Sequence, residues 1–267
     1  MSARETQMLD VGRGKTRRRI AYIHAPPALA GAPGVVWLIG LKSDMESTKA
    51  EALANWTAAR GTGFTRFDYS GHGRSEGGFE DATIGDWVEE AVEIFSRVTS
   101  GPQILAGSST GGHIALLLLR RLMETRPEEA QRIRGLVLIA PAWDLTEELM
   151  WNVFPDEAKR EILEKGVWMR PSDYDERGTA ITRRFIEEGR NHLLARRPWN
   201  PGRPVAILQG LMDTDVPPAH ARELLSFLEG GWASMTEVPD GEHRLSRPED
   251  LALLFQLIEG QLQTIAT

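Results

Sequence analysis

The chain has 267 residues, with 31 Lys and Arg against 38 Asp and Glu for a net charge of -7, and 41% of it is hydrophobic. That acidic balance excludes a nucleic-acid surface, which needs clustered basic residues, while the apolar share is ample for the core of one large α/β domain. The absence of cysteine removes disulfides, thiolate nucleophiles and thiolate metal sites together, and it suits a reducing compartment.

Taken in chain order, Gln7 to Val11 and Arg18 to His24 flank Gly12-Arg13-Gly14 and predict a β-hairpin. The basic run Arg17, Arg18, Arg19 within it is expected to be a solvated strand edge. This N-terminal segment lacks the apolar run of a secretory signal, and no apolar stretch reaches the ~20 residues of a membrane span. A cytoplasmic protein is therefore expected. VVWLIG (35–40) is a short β-branched run that predicts a buried strand. MESTKAEALANWTAARG (45–61) predicts a helix ended by Gly61, and FTRFDYS (64–70) the next strand. Trp87, Val88, Ala91, Ile94, Phe95 and Val98 share one helical face, with Thr83 and Asp86 as an acidic capping box at its start.

Four more strands are predicted in PQILAGS (102–108), RGLVLIAPA (134–142), RPVAILQG (203–210) and WASMTEVPD (232–240). Helices are predicted in HIALLLLRRLMETR (113–126), AHARELLSFLEG (219–230) and RPEDLALLFQLIEGQL (247–262). Strands alternating with helices imply an α/β fold with a mostly parallel central sheet flanked by helices on both faces. Residues 144–199 break the alternation, with two or three helices and no clear strand, and read as a small helical cap insertion into a core of 1–143 and 200–267.

Two stretches fit Gly-x-Ser-x-Gly: GRSEG (73–77) and GSSTG (107–111). A serine hydroxyl becomes a nucleophile only when a base takes its proton and the chain holds its oxygen clear. A sharp strand-to-helix turn does this, and small flanking residues let strand and helix approach. GSSTG has that setting, between the apolar QILA and the helix GHIALLLLRRL, so Ser109 is the candidate nucleophile. GRSEG lies in a polar, glycine-rich turn, where Ser75 is expected to bond nearby backbone. Chain order in such folds runs serine, acid, histidine. His220, at a helix start, and His243, in PDGEHRLS after the last strand, are the histidines late enough, and the loop position favours His243 as the base. Asp213 and Asp215 both follow the strand VAILQG. Asp213 lies nearer the strand end and is the candidate acid, leaving Asp215 to cap the next helix. Oxyanion donors are expected from the backbone N–H groups of Thr110 and Leu41. Trp143, Met150, Trp151 and Trp168 are candidates for an acyl pocket beneath the cap, against a role in ordinary core packing.

Four stretches carry a resemblance to a known family: GLKSDMESTKA (40–50), RFDYSGHGRSEG (66–77), GPQILAGSSTGG (101–112) and KGVWMRPSDY (165–174). With QGLMDTDVP and GEHR, they make the chain resemble the branch of the α/β-hydrolase superfamily containing the mitochondrial α/β-hydrolase domain-containing protein ten and its bacterial relatives. The resemblance implies an α/β-hydrolase fold and a serine hydrolase of acyl thioesters on proteins and of acyl-glucuronide esters. It also implies the triad Ser109, Asp213 and His243. Such chemistry needs no metal and no organic cofactor, and its partner is a small-molecule or acylated-protein substrate. The same fold hosts C–C bond hydrolases and ligand receptors, which are the alternatives.

Overall fold

The computed structural model describes residues 5–171 and 178–266; positions 172–174, which close the KGVWMRPSDY stretch, lie outside the described residues. The chain opens with β1 (Gln7–Val11), β2 (Arg18–Ala25) and β3 (Gly34–Leu38), then α1 (Thr48–Arg60), β4 (Gly63–Phe67), α2 (Ile84–Val98) and β5 (Gln103–Ser108). It continues through α3 (Thr110–Thr125), the single turn α4 (Pro127–Ala130) and β6 (Ile133–Ile139). A π-helical segment (Thr146–Trp151), α5 (Asp156–Lys165), β7 (Val167–Arg170), β8 (Thr179–Thr182) and α6 (Arg183–Gly189) follow. The last elements are β9 (Val205–Gly210), α7 (Pro218–Phe227), β10 (Ala233–Val238) and α8 (Pro248–Ala266).

Eight strands form one sheet in the order β1-β2-β4-β3-β5-β6-β9-β10. The predicted hairpin β1–β2 joins antiparallel to β4, and every pairing from β4 to β10 is parallel. Parallel strands need both faces covered. Accordingly every residue of β3, β4, β5 and β9 is buried, while α1 packs with α8 and α2 with α3 as helical layers. Each fully buried Leu, Ile or Val in these strands contributes about 1.5–3 kcal/mol. The helix ends follow the expected signals. Gly61 closes α1 at φ 67, and Thr83 accepts from the Asp86 N–H while Asp86 accepts from the Thr83 N–H.

Two expectations are corrected. The insertion between β6 and β9 is not purely helical, because β7 and β8 pair antiparallel as a two-stranded ribbon. Arg18 is not a solvated edge residue. Its side chain is only 12% exposed, paired with the fully buried Glu90 and with Glu89, and its Nη2 donates to the Asp86 carbonyl. The ion pair lets a carboxylate sit under the sheet edge, where Glu90 also accepts the Ser70 N–H at 2.9 Å.

Burial raises the Glu90 carboxyl from its ordinary 4.5 to about 7, against the lowering influence of Arg18 and the Ser70 N–H. Because the folded value lies above the unfolded one, the stability this carboxyl contributes is complete below about 4.5 and is lost as pH rises through about 7. Thermal unfolding midpoints of Glu90→Gln and the parent are therefore expected to diverge in slope over that interval, the parent losing stability relative to the variant as pH rises. Parallel curves would refute it.

Candidate active site

The strand β5 ends at Ser108 and α3 begins at Thr110, so a single residue makes the turn between them. Ser109 sits there at φ 56 and ψ -119, a conformation that costs on the order of 1–3 kcal/mol and needs surroundings that impose it. The surroundings are explicit. The Ser109 N–H donates to the Ile139 carbonyl at 2.8 Å, and its own carbonyl accepts from Gly112 at 2.9 Å and Ala142 at 3.0 Å. Glycine is required on both sides. A Cβ on Gly107 would lie 2.3 Å from the Gly111 carbonyl oxygen, and one on Gly111 would lie 2.1 Å from that of Leu38. These clashes are with backbone and leave no room to relax.

Ser109 Oγ lies 3.1 Å from His243 Nε2, and His243 Nδ1 lies 2.8 Å from Asp213 Oδ2. The carboxylate accepts, so Nδ1 carries the proton and Nε2 offers its lone pair to the serine hydroxyl. Asp213 is fully buried at its side chain and is held on its other oxygen by the N–H groups of Asp215 at 3.0 Å and Val216 at 2.8 Å. Gln209 Nε2 stands 3.3 Å from Oδ2. Asp215 itself is exposed, and the cap position of α7 is occupied by Pro217.

The other candidates fall elsewhere. Ser75 Oγ donates to the Asp68 carbonyl at 2.7 Å and accepts the Ala21 N–H at 2.8 Å, so it is a loop hydroxyl occupied by backbone. His220 is not a helix-surface residue. It is buried, its ring stacked 4.5 Å from Trp143, with Nε2 bonded to the Trp143 carbonyl and the indole N–H returned to its own. Trp143 and Met150 are fully buried in the main core, Trp143 also meeting Phe227 edge-on. Trp151 and Trp168 are half-buried, with Arg190 over the Trp151 ring and Phe154 against Trp168.

The loop after β3 passes directly beside Ser109. A Cβ on Gly40 would stand 3.4 Å from the Ser109 Cβ and 3.3 Å from the Ser108 carbonyl oxygen. Among the described residues, the backbone N–H groups of Leu41 and Thr110 have no protein acceptor. Three residues with no assigned role in the sequence support these loops. Asp68 accepts the N–H of Met45 at 2.7 Å and of Arg74 at 2.8 Å, tying the loop after β3 to the loop after β4. His72 accepts the Lys42 N–H at 3.1 Å. Lys49, on α1, reaches across to the loop of His243, donating to the Arg244 carbonyl and to Ser246 Oγ at 3.2 Å. Its burial there lowers the ammonium to about 8. Lys49 stands in the GLKSDMESTKA stretch, which the sequence marks for its family resemblance without assigning this lysine a role.

A neck joins the insertion to this platform. Asp144, at φ 49 just after β6, accepts the N–H groups of Leu194 at 2.6 Å and Ala195 at 3.0 Å, so one buried carboxylate binds both ends of the intervening chain.

Comparison with known proteins agrees with this architecture. Residues 35–176 match the family model Hydrolase_4, described as serine aminopeptidase, S33. The chain is 33% identical to palmitoyl-protein thioesterase ABHD10, mitochondrial, of Bos taurus, over 99% of its own length and 86% of that protein's. It is 32% identical to the Homo sapiens protein of the same name, over 88% and 75%. A solved structure from Agrobacterium vitis S4 superposes with a TM-score of 0.93 at 40% identity, covering 97% of this chain and 98% of that one. Alpha/beta hydrolase domain-containing protein 10 from mouse superposes with a TM-score of 0.82 at 30% identity, covering 97% and 99%. With a mostly parallel open sheet, a serine at the β5–α3 turn and likeness along nearly the whole chain, this protein belongs to the α/β-hydrolases, in the branch that contains ABHD10.

Proposed function

We propose that the chain is a serine hydrolase of carboxylic esters and thioesters, with Ser109, His243 and Asp213 as its triad. The observation that carries the reading is the unbroken line of hydrogen-bond distances, 3.1 Å from Ser109 Oγ to His243 and 2.8 Å onward to Asp213. Ser109 Oγ attacks the carbonyl carbon while Nε2 of His243 takes its proton. The carbonyl oxygen becomes an oxyanion between the N–H groups of Leu41 and Thr110. The C–O or C–S bond then breaks, and the leaving alkoxide or thiolate receives the proton from His243. Water, deprotonated by the same imidazole, hydrolyses the acyl-enzyme and restores the serine. Asp213 stays ionised throughout and holds the ring in the accepting tautomer.

Residues 144–199 form the cap of this proposal, over a core of 1–143 and 200–267. Trp151 and Trp168, half-buried in the cap, remain the candidates for acyl contact, whereas the full burial of Trp143 and Met150 favours core packing for them. The names of the relatives make an S-acylated protein one candidate substrate. A cytoplasmic location stays part of the proposal, although the relatives are named as mitochondrial. Among the described residues, no helix is long and apolar enough to cross a membrane.

Turnover of p-nitrophenyl esters graded from acetyl to palmitoyl, alongside thioesters of the same acyl chains, tests the reading. Both bond types are expected to be cleaved, with a chain-length optimum set by pocket depth. A folded protein that binds these compounds and cleaves neither bond would instead be a receptor, and the hydrolase reading would fail.

A further inference from the structure

We infer that His72 is a positioning residue of the oxyanion loop: by accepting the Lys42 N–H it holds the turn Gly40–Ser43, and with it the Leu41 N–H, in place beside Ser109. The inference rests on the serine-hydrolase reading above and adds to it a residue outside the triad.

The turn is defined by its own hydrogen bond, from the Ser43 N–H to the Gly40 carbonyl at 3.1 Å. In a planar trans peptide the C=O and N–H point opposite ways. Turning the Gly40 carbonyl toward Ser43 therefore sends the Leu41 N–H out of the turn, from a glycine that already abuts Ser109. Lys42, the third residue of the turn, has φ 59 while Leu41 has none of that left-handed character, which is a type II geometry. A lysine pays on the order of 1 kcal/mol for such a conformation, and a glycine would not. A type I turn would relieve the strain by rotating the Leu41–Lys42 peptide, and Leu41 would shift with it.

His72 opposes that relaxation. Its Nδ1 faces the Ser70 carbonyl at 3.2 Å and must donate to it, which leaves Nε2 as an acceptor aimed at the Lys42 N–H. A rotated peptide would bring the Leu41 carbonyl oxygen toward the same lone pair, oxygen against nitrogen with no proton between. The ring cannot turn away. It is 5% exposed and boxed edge-on by Trp87 at 5.1 Å, Phe79 at 5.5 Å and Tyr69 at 5.9 Å, with the Trp87 indole N–H bonded to the same Ser70 carbonyl. Burial pushes the imidazole down to about 4, so it remains a neutral acceptor at neutral pH.

The test separates the acceptor from the packing. His72→Phe keeps an aromatic ring in the box and removes the acceptor. It is expected to lower kcat on a short-chain ester about tenfold with KM changed less than about twofold, a part of the 10²–10³-fold cost of losing an oxyanion donor outright. His72→Gln, whose carboxamide oxygen can reach the Lys42 N–H, should retain most of kcat. Adding Lys42→Gly to His72→Phe should recover much of the loss, because glycine adopts the turn without strain. Unfolding midpoints are measured for every variant. An unchanged kcat in His72→Phe, an equal loss in Gln and Phe, or no rescue by glycine would overturn the inference alone. Wild-type turnover that survives Ser109→Ala would overturn the hydrolase reading beneath it as well.

Discussion

Ser109→Ala is expected to lower kcat on an activated ester by about 10⁶-fold while leaving the unfolding midpoint within a degree or two of the parent's, since the methyl side chain occupies the same strained backbone. The magnitude is that of removing the nucleophile from a complete triad, where the remaining groups act only on a bound substrate. The strain is imposed by the bonds to Ile139, Gly112 and Ala142 and by the glycines at 107, 111 and 112, none of which involve the hydroxyl. Steady-state turnover and covalent labelling by a fluorophosphonate read the result. Labelling that persists in the variant at Ser75 would reassign the nucleophile, although that hydroxyl is already bonded to Asp68 and Ala21 backbone.

The second large effect is expected from Asp213→Asn, on the order of 10⁴ in kcat with little change in stability. Here the structure dictates which way the new amide must face. Oδ1 accepts two backbone N–H groups, from Asp215 and Val216, and an amide nitrogen in that position would oppose both. The Asn oxygen therefore stays with the backbone, and its NH₂ faces His243 Nδ1 and Gln209 Nε2. A donor facing Nδ1 forces the ring proton onto Nε2. The imidazole then points an N–H at Ser109 Oγ, and the serine loses its base without any atom moving far. The same ester assay checks it. A variant within tenfold of the parent would mean that the carboxylate does not govern the tautomer.

The residues carrying these predictions were legible in the sequence because each leaves a local mark. Gly107, Gly111 and Gly112 mark a crossing of strand and helix, Asp213 follows the apolar and fully buried run of β9, and His243 stands in the loop after β10, late enough in the chain to serve as the base. Other features leave no such mark. The strands β7 and β8 are four residues each with little alternation, VWMR being mostly half-buried, so propensity reads the insertion as helical. Arg18 reads as a surface charge because its partner, Glu90, lies 72 residues away on a helix face otherwise apolar. His72 and Lys49 act on backbone atoms of distant loops, and a main-chain N–H or carbonyl has no residue type to announce it. Trp143 shows the opposite failure. An aromatic beside an insertion suggests a ligand wall, but its indole is consumed by His220.

The contact between Ser109 and His243 joins positions 134 residues apart, and the loop that carries the ring follows β10, the last strand of the sheet. During translation the elbow and its strand leave the ribosome long before the imidazole has been polymerised. A nascent chain on the proposed pathway is thus chemically inert toward acyl groups until the loop after β10 has been made and has docked, so burial of that strand and onset of reactivity coincide.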